Sequence, residues 1–190
     1  MSVSFNIDLS PTVHIGAMHP DLKLTRNTWI ISDTHFGHTN IIKYCKRPFN
    51  HNMMMRAAWE DMIRPDEYVL HLGDVSIWHS KHAYWASVTR ALPGKKFLIL
   101  GNHDGQWNDK QWRSIAGFTV TPPFIHDRIL FTHEPAAPSG QWDTNIHGHT
   151  HNHSPFRRYE KLQATYYNVS IEGMDYKPVR LGEILDELRS

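Results

Sequence analysis

Five short stretches of this chain, each following an apolar run, hold the side chains that could do chemistry. They are Ser32-Asp33-Thr34-His35, Gly73-Asp74, Gly101-Asn102-His103-Asp104, Thr132-His133 and Gly148-His149-Thr150-His151. Two divalent cations about 3.5 to 4 Å apart need a bridging carboxylate and a mixed set of nitrogen and oxygen donors. Asp33, His35, Asp74, Asn102, His133, His149 and His151 supply such a set, with room left for water and substrate. Carboxylate and imidazole together suit Mn, Fe, Zn, Co or Ni better than Ca, with Mn the first expectation. The chemistry of such a pair is in-line displacement at phosphorus by a metal-activated water.

Spacing adds an expectation of direction. Asp33 and His35 are two apart, so an extended backbone would point them the same way, and His149 and His151 repeat the device. On the same reasoning His103, next to Asn102, should face away from its neighbour's metal. Glycines 73, 101 and 148 carry no side chain to block close approach of backbone, metal and phosphate. A lone Gly-Asp or Asp-x-His is commonplace. The five stretches in one order are not.

That order, Asp-x-His, Gly-Asp, Gly-Asn-His-Asp, His, Gly-His-x-His, resembles the calcineurin-like metallophosphoesterases, a family of phosphatases, phosphodiesterases and nucleases. The likeness runs over about 28–172 and is nearest to compact bacterial and bacteriophage members. It implies an α/β layered fold, a two-sheet β-sandwich flanked by helices, with the metal site at strand ends. It implies that Asp33, His35 and His151 hold one ion and that Asn102, His133 and His149 hold the other, with Asp74 bridging. It also implies that Asn102 and His103 contact phosphate and that His103 acts as general acid, with Asp104 orienting its ring.

Other residues carry weaker expectations. His38, after Phe36-Gly37, is a candidate phosphate contact. So is Arg47, because a guanidinium suits bidentate oxyanion binding. His71, His79, His82, His147 and His153 read as structural or solvated. Asn168 and Glu172 read as core closure, and Cys45 as a small apolar group.

The elements that must position these residues follow from periodicity. Apolar runs at 28–31, 68–72, 96–100, 128–131, 145–147 and 166–171 read as strands. Four-residue spacing of Met54, Ala58 and Met62, and of Met55, Trp59 and Ile63, predicts a helix over 51–63. Helices are also expected over 80–91, closed by Pro93-Gly94, and more weakly over 107–116, while 181–188 reads as a closing helix or turn. Val3, Phe5 and Ile7 alternate as a short strand would. Strands alternating with helices give an α/β layered domain. We expect one domain over 1–190, with 1–26 as an N-terminal extension.

The bulk numbers narrow the partners. Twenty Lys and Arg against 19 Asp and Glu leave a net charge of +1, which argues against a broad basic surface for long nucleic acid. The 15 histidines are the compositional outlier, and the single cysteine forbids an intrachain disulfide. No apolar run reaches the ~20 residues of a membrane span. The first residues lack a basic segment leading into an apolar one, so a cytoplasmic setting is expected.

The gaps from Asp33 to Asp74, Asp74 to Asn102 and His133 to His149 are 41, 28 and 16 residues. None can hold a large cap domain. An open cleft favours phosphodiesters of nucleotide or cyclic-nucleotide type, with short nucleic acid a further candidate. The segment 1–26 is the one most able to narrow that cleft. The rival readings are a phosphomonoesterase or protein phosphatase, a metal-binding scaffold of the same fold, and a structural metal protein. A scaffold has no use for His103, and structural zinc sites are usually cysteine-rich.

Overall fold

Strand β1 (Trp29–Ile31) lies parallel to β2 (Tyr68–His71), with Trp29 opposite Val69 and Ile31 opposite His71. These belong to a computed structural model that describes residues 9–10, 13–76, 82–105, 107–151, 156–159 and 164–190, with residues 82, 83 and 156–159 as backbone alone. The expected strand at Val3, Phe5 and Ile7, the start of the helix at Ser80, His79 and His153 lie outside the described residues. So does the side chain of His82.

Among the described residues there are two five-stranded sheets. In the first, β1 and β2 continue in parallel to β3 (Lys95–Leu98) and β4 (Phe118–Val120). The antiparallel β10 (Val179–Arg180) closes its other edge against β1. The second sheet runs β5 (Phe124–His126), β6 (Ile129–Phe131), β7 (Thr144–His147), β9 (Ala164–Asn168), β8 (Phe156–Tyr159). Its inner three strands are parallel and its edge pairings antiparallel. The helices are α1 (Ile41–Tyr44), α2 (His51–Met62), α3 (His82–Ala91), the short α4 (Asp109–Gln111) and α5 (Leu181–Glu187). Two mixed sheets flanked by helices are the layered α/β architecture expected from the sequence.

Strand alternation divides the core. Ile30, Leu70 and Phe97 turn towards Phe131, Ile146 and Tyr167 of the other sheet, and together they fill the space between the sheets. Trp29, Ile31, Val69 and Leu98 turn the opposite way, towards α2 and α3. This is the period of two that a strand buried on both faces requires. On α2, Met55, Trp59 and Ile63 make the buried stripe, whereas Met53 is 73% exposed, so the methionine run is only partly core. Trp59 is fully buried and its indole N–H donates to the Pro93 carbonyl at 2.9 Å. Truncating such a side chain costs about 3–5 kcal/mol.

The weak helix expected over 107–116 is one α-turn followed by a π-turn at Trp112–Ala116. Asn108 and Gln111 form a reciprocal cap at its start, and Gly117, at φ 79°, ends it. The parallel strands β1, β2, β3, β6 and β7 all deliver their C-terminal ends to one region, where the five motifs meet. No helix among the described residues is long and apolar enough to cross a membrane.

Candidate metal centre

Each motif begins where a parallel strand ends and the backbone turns. Asp33, His35, Asp74, His149 and His151 all have left-handed φ angles, between 44° and 68°. The extended backbone expected for Asp33–His35 and His149–His151 is therefore absent. The reversed backbone is held by hydrogen bonds between loops: Asp33 N–H to Gly73 O at 3.0 Å, His35 N–H to Asp74 O at 3.0 Å, and Phe36 N–H to Val75 O at 2.9 Å. Left-handed φ is more accessible to Asp and His than to bulky residues but still disfavoured, so neighbouring contacts must enforce it.

Close approach of the loops explains the glycines. A Cβ on Gly73 would lie 2.6 Å from the His133 ring, and one on Gly148 would lie 2.3 Å from an Asp33 carboxylate oxygen. The space they save is taken by the candidate ligands themselves.

Two donor groups form. In the first, Asp33 Oδ1 lies 4.0 Å from His35 Nε2 and 3.7 Å from His151 Nε2. In the second, Asn102 Oδ1 lies 3.0 Å from His133 Nε2 and 3.1 Å from His149 Nδ1. Asp74 Oδ2 stands 3.4 Å from His35 Nε2 and 3.4 Å from His133 Nε2, so it faces both groups. Asp33, His35 and His151 could hold one ion, and Asp74, His133 and His149 another.

The donor chemistry fits cations. Asp33 Oδ1 and both ring nitrogens of His35 are buried without a hydrogen-bond partner among the described residues. Uncompensated burial of such groups is costly, and a cation would satisfy them. The titration behaviour agrees. Burial holds His35 well below its ordinary value. Burial also works against protonation of His133 and His151, but nearby acceptors reverse that. Bonding to Asp74 lifts His133 to about 9, and Cys45 and Glu172 lift His151 to about 10. Burial would raise Asp74, yet the imidazoles His133 and His35 hold it well below the usual carboxylate range. The carboxylates of the cleft thus favour positive charge at His133 and His151, whereas burial disfavours it at His35.

The surrounding contacts fix ligand orientation. His133 Nδ1–H donates to the Leu72 carbonyl at 2.7 Å, leaving Nε2 for the cleft. His151 Nδ1 pairs with Glu172 Oε1 at 3.0 Å, and Asp33 Oδ2 accepts from the His149 amide and the Ser170 hydroxyl. Partners of this kind set tautomer and ring direction at metal sites. His71 is a structural residue, as expected. Its Nδ1 accepts from the Gly73 amide and its Nε2–H meets the Thr34 hydroxyl at 3.0 Å.

Three expectations change. Arg47 is not available to a substrate: its side chain is fully buried and donates to the carbonyls of Asp33 and Thr34 and to Glu172. Glu172 is more than core closure, because it receives both Arg47 and His151. Asp104 turns its carboxylate to the amides of Asp74, Gly101 and Val75 instead of the His103 ring, and burial with the Asp74 charge raises it to about 7. His103 leans towards the first donor group, and it does so through a turn and not along an extended strand. Residues 102–103 form a turn, and its ring lies 5.5 Å from that of His35, with Nε2 4.0 Å from Asp74 Oδ2.

His38 lies 5.7 Å, ring to ring, from His35, and its Nδ1 is buried without a partner among the described residues. Burial and the neighbouring His103 lower it. Cys45 was read as a small apolar group, but its sulfur lies within 4.8 Å of ligating atoms of His151 and Glu172. Nothing in sequence brought it to the centre.

Comparison with known proteins supports the same reading. The family model of calcineurin-like phosphoesterases matches residues 26–172. The protein MJ1445 of Methanocaldococcus jannaschii is 33% identical over 170 residues, spanning 84% of this chain and 90% of that one. The Gene 66 protein of Mycobacterium phage D29 is 27% identical, with 66% of this chain and 78% of its own covered. Among solved structures, AQ665 of Aquifex aeolicus, a protein of unknown function, superposes with a TM-score of 0.66 at 26% identity, covering 85% of this chain and 98% of that chain. An archaeal phosphodiesterase superposes at a TM-score of only 0.40 and 20% identity, too loose a match to inform the substrate. A family match running from the segment before β1 through the last residue at the cleft, joined to a relative alike over most of its length, makes this chain a member of the calcineurin-like phosphoesterase family.

Proposed function

We propose that this protein is a metal-dependent phosphoesterase whose preferred substrates are phosphodiesters of nucleotide type. Asp33, His35 and His151 hold one divalent ion. Asn102, His133 and His149 hold the other, and Asp74 serves both. Bound there, a pair of such ions supplies Lewis-acid charge to the phosphoryl oxygens and lowers the pKa of water. The observation that carries the reading is the position of Asp74 Oδ2, 3.4 Å from an imidazole of each donor group.

The chain's own residues do the rest. His103, 46% exposed at the mouth, gives its proton to the departing ester oxygen. His38, beside His35, orients a phosphoryl oxygen. Asp104 ties the Asp74 and Gly101 loops together and so fixes the spacing of Asp74 and Asn102. Arg47 is withdrawn from substrate contact and braces the Asp33 loop. The short gaps between the motifs hold no cap domain, which favours diesters over monoesters.

The test is hydrolysis of bis-p-nitrophenyl phosphate and p-nitrophenyl phosphate with Mn, before and after chelation. We expect two ions per chain, a higher kcat/KM on the diester, and loss of activity on chelation with recovery on adding Mn beyond that given by Mg. Unchanged activity without stoichiometric metal would overturn the metal reading. A monoester preference across pH would overturn the diester reading.

A further inference from the structure

A groove of about 270 Å³ opens beside the second donor group and reaches Asn102 and His133. It is lined also by Ser10, Val13, Leu100, Pro123 and Glu134. We propose that this groove is the subsite for the ester arm that stays on phosphorus, and that it takes an uncharged nucleoside. The inference rests on the phosphodiesterase reading above and deepens it.

Three observations carry it. The first is size. Sites for whole drug-sized ligands run to about 300–1,000 Å³, so this groove suits one substituent of a diester and not a complete substrate. The second is side. The candidate proton donor, His103, leans towards His35 with ring centroids 5.5 Å apart. The departing oxygen therefore lies towards the first donor group, and the groove beside Asn102 and His133 is left for the other arm. In the hydrolysis, water adds to phosphorus and releases one proton to solvent, the bond to the departing oxygen breaks, and that oxygen takes the His103 proton, which solvent then restores. The retained arm stays esterified throughout, and a monoester has no such arm.

The third is origin. Ser10 and Val13 lie before residues 26–172, the part of the chain matched by the family model, and the wall they form reaches the second donor group. It is firmly attached. Ser10 N–H donates to Pro135 O at 2.9 Å, Ala137 N–H to Ser10 O at 3.2 Å, and Gly16 N–H to Pro123 O at 2.8 Å. The wall is thus pinned to the loop that carries His133. Val13, Leu100 and Pro123 give the groove apolar surface for a base or sugar face. The carboxylate of Glu134 in the lining repels an arm bearing further phosphate.

The experiment compares two substrates that release the same group. One is p-nitrophenyl thymidine 5′-phosphate, whose retained arm is thymidine. The other is p-nitrophenyl phosphate, which has none. Val13→Trp should lower kcat/KM on the first by about tenfold or more, the scale on which pocket filling discriminates, and leave the second within about twofold. Wild type should also disfavour the 3′-phosphorylated thymidine ester, and Glu134→Gln, with its metal content verified, should relax that preference. Calorimetric titration with thymidine 5′-monophosphate and with inorganic phosphate reads the groove without turnover. Val13→Trp should weaken the first and spare the second. Equal effects on both substrates, or on both ligands, would overturn the groove assignment while leaving the phosphodiesterase reading intact. Selective loss of nucleotide binding in a protein that hydrolyses neither ester would do the reverse.

Discussion

Arg47 and Glu172, 125 residues apart in sequence, meet at 2.7 Å inside the protein and join the two ends of one donor group. The guanidinium holds the carbonyls of Asp33 and Thr34, while the carboxylate holds the Nδ1 side of His151. Asp33 Oδ1 and His151 Nε2 are thereby presented to one another from opposite sides at 3.7 Å. The pair is a brace for the first donor group, and no buried ion pair of this kind is found among the residues described around the second.

Removing one member of a buried ion pair strands the other, at a cost of about 3–5 kcal/mol. Arg47→Ala should lose about that much by denaturant unfolding. Glu172→Ala should weaken the ion held by Asp33, His35 and His151 by roughly 10- to 100-fold, the scale of outer contacts at metal sites, and leave the other ion little changed. A loss under about 1 kcal/mol in the first variant, the value of a surface pair, would show that Arg47 is no brace.

Asp74 is predicted to matter to both ions and His35 to one. Elemental analysis of Asp74→Asn should find both positions depleted, whereas His35→Asn should retain about one ion per chain, as a shared bridge requires. Equal, mild depletion in the two variants would remove Asp74 from the bridging role.

His103 is predicted to act on the departing oxygen. General acid catalysis contributes about 10²- to 10⁴-fold, and that factor should be lost in His103→Ala for alkoxide leaving groups such as ribose. A p-nitrophenolate needs little protonation and should depart nearly as fast as before. Equal slowing of both would make His103 a phosphate contact only.

Acid stability should report His71. Burial, with the neighbouring His133 adding to it, lowers this imidazole to about 3. Its folded pKa is depressed, so its contribution is full above the ordinary value near 6.5 and is lost as pH falls from there through about 3. The stability lost should approach about 1.4 kcal/mol per pH unit for one proton in mid-window. Denaturant unfolding at several pH values between 7 and 4 should show a shallower slope in His71→Asn than in wild type. Identical slopes would mean that His71 is not the acid-sensitive group.

The ligand motifs were legible because their chemistry is encoded in residue type. A carboxylate or imidazole after an apolar run is visible without knowing which way it points. Directions were not legible. An extended backbone was the natural expectation for Asp33 and His35, and interloop hydrogen bonds from Gly73 and Asp74 overrule it. Arg47 looked like an oxyanion clamp because nothing local reveals that its partner is Glu172. Strands β4, β5 and β10, of two or three residues, show no period and lack the continuous apolar run that marks the equally short β1 and β6. The helix α2 was readable because amphipathic spacing over twelve residues survives without tertiary context. The N-terminal segment showed no chemistry of its own, and its place beside Asn102 and His133 arises only from folding.

The left-handed turns at Asp33, His35, Asp74, His149 and His151 bear on how a mutational scan of this protein should be interpreted. At those positions a substitution is judged twice, once for the lost donor atom and once for a backbone that β-branched and bulky residues resist. Valine or isoleucine there would fail in a stability screen as well as an activity screen, and the profile would mimic a core position. Glycine and asparagine tolerate the conformation. They are the substitutions that separate silence of the chemistry from collapse of the scaffold, and a depletion map that ignored the difference would place the hydrophobic core around the cleft.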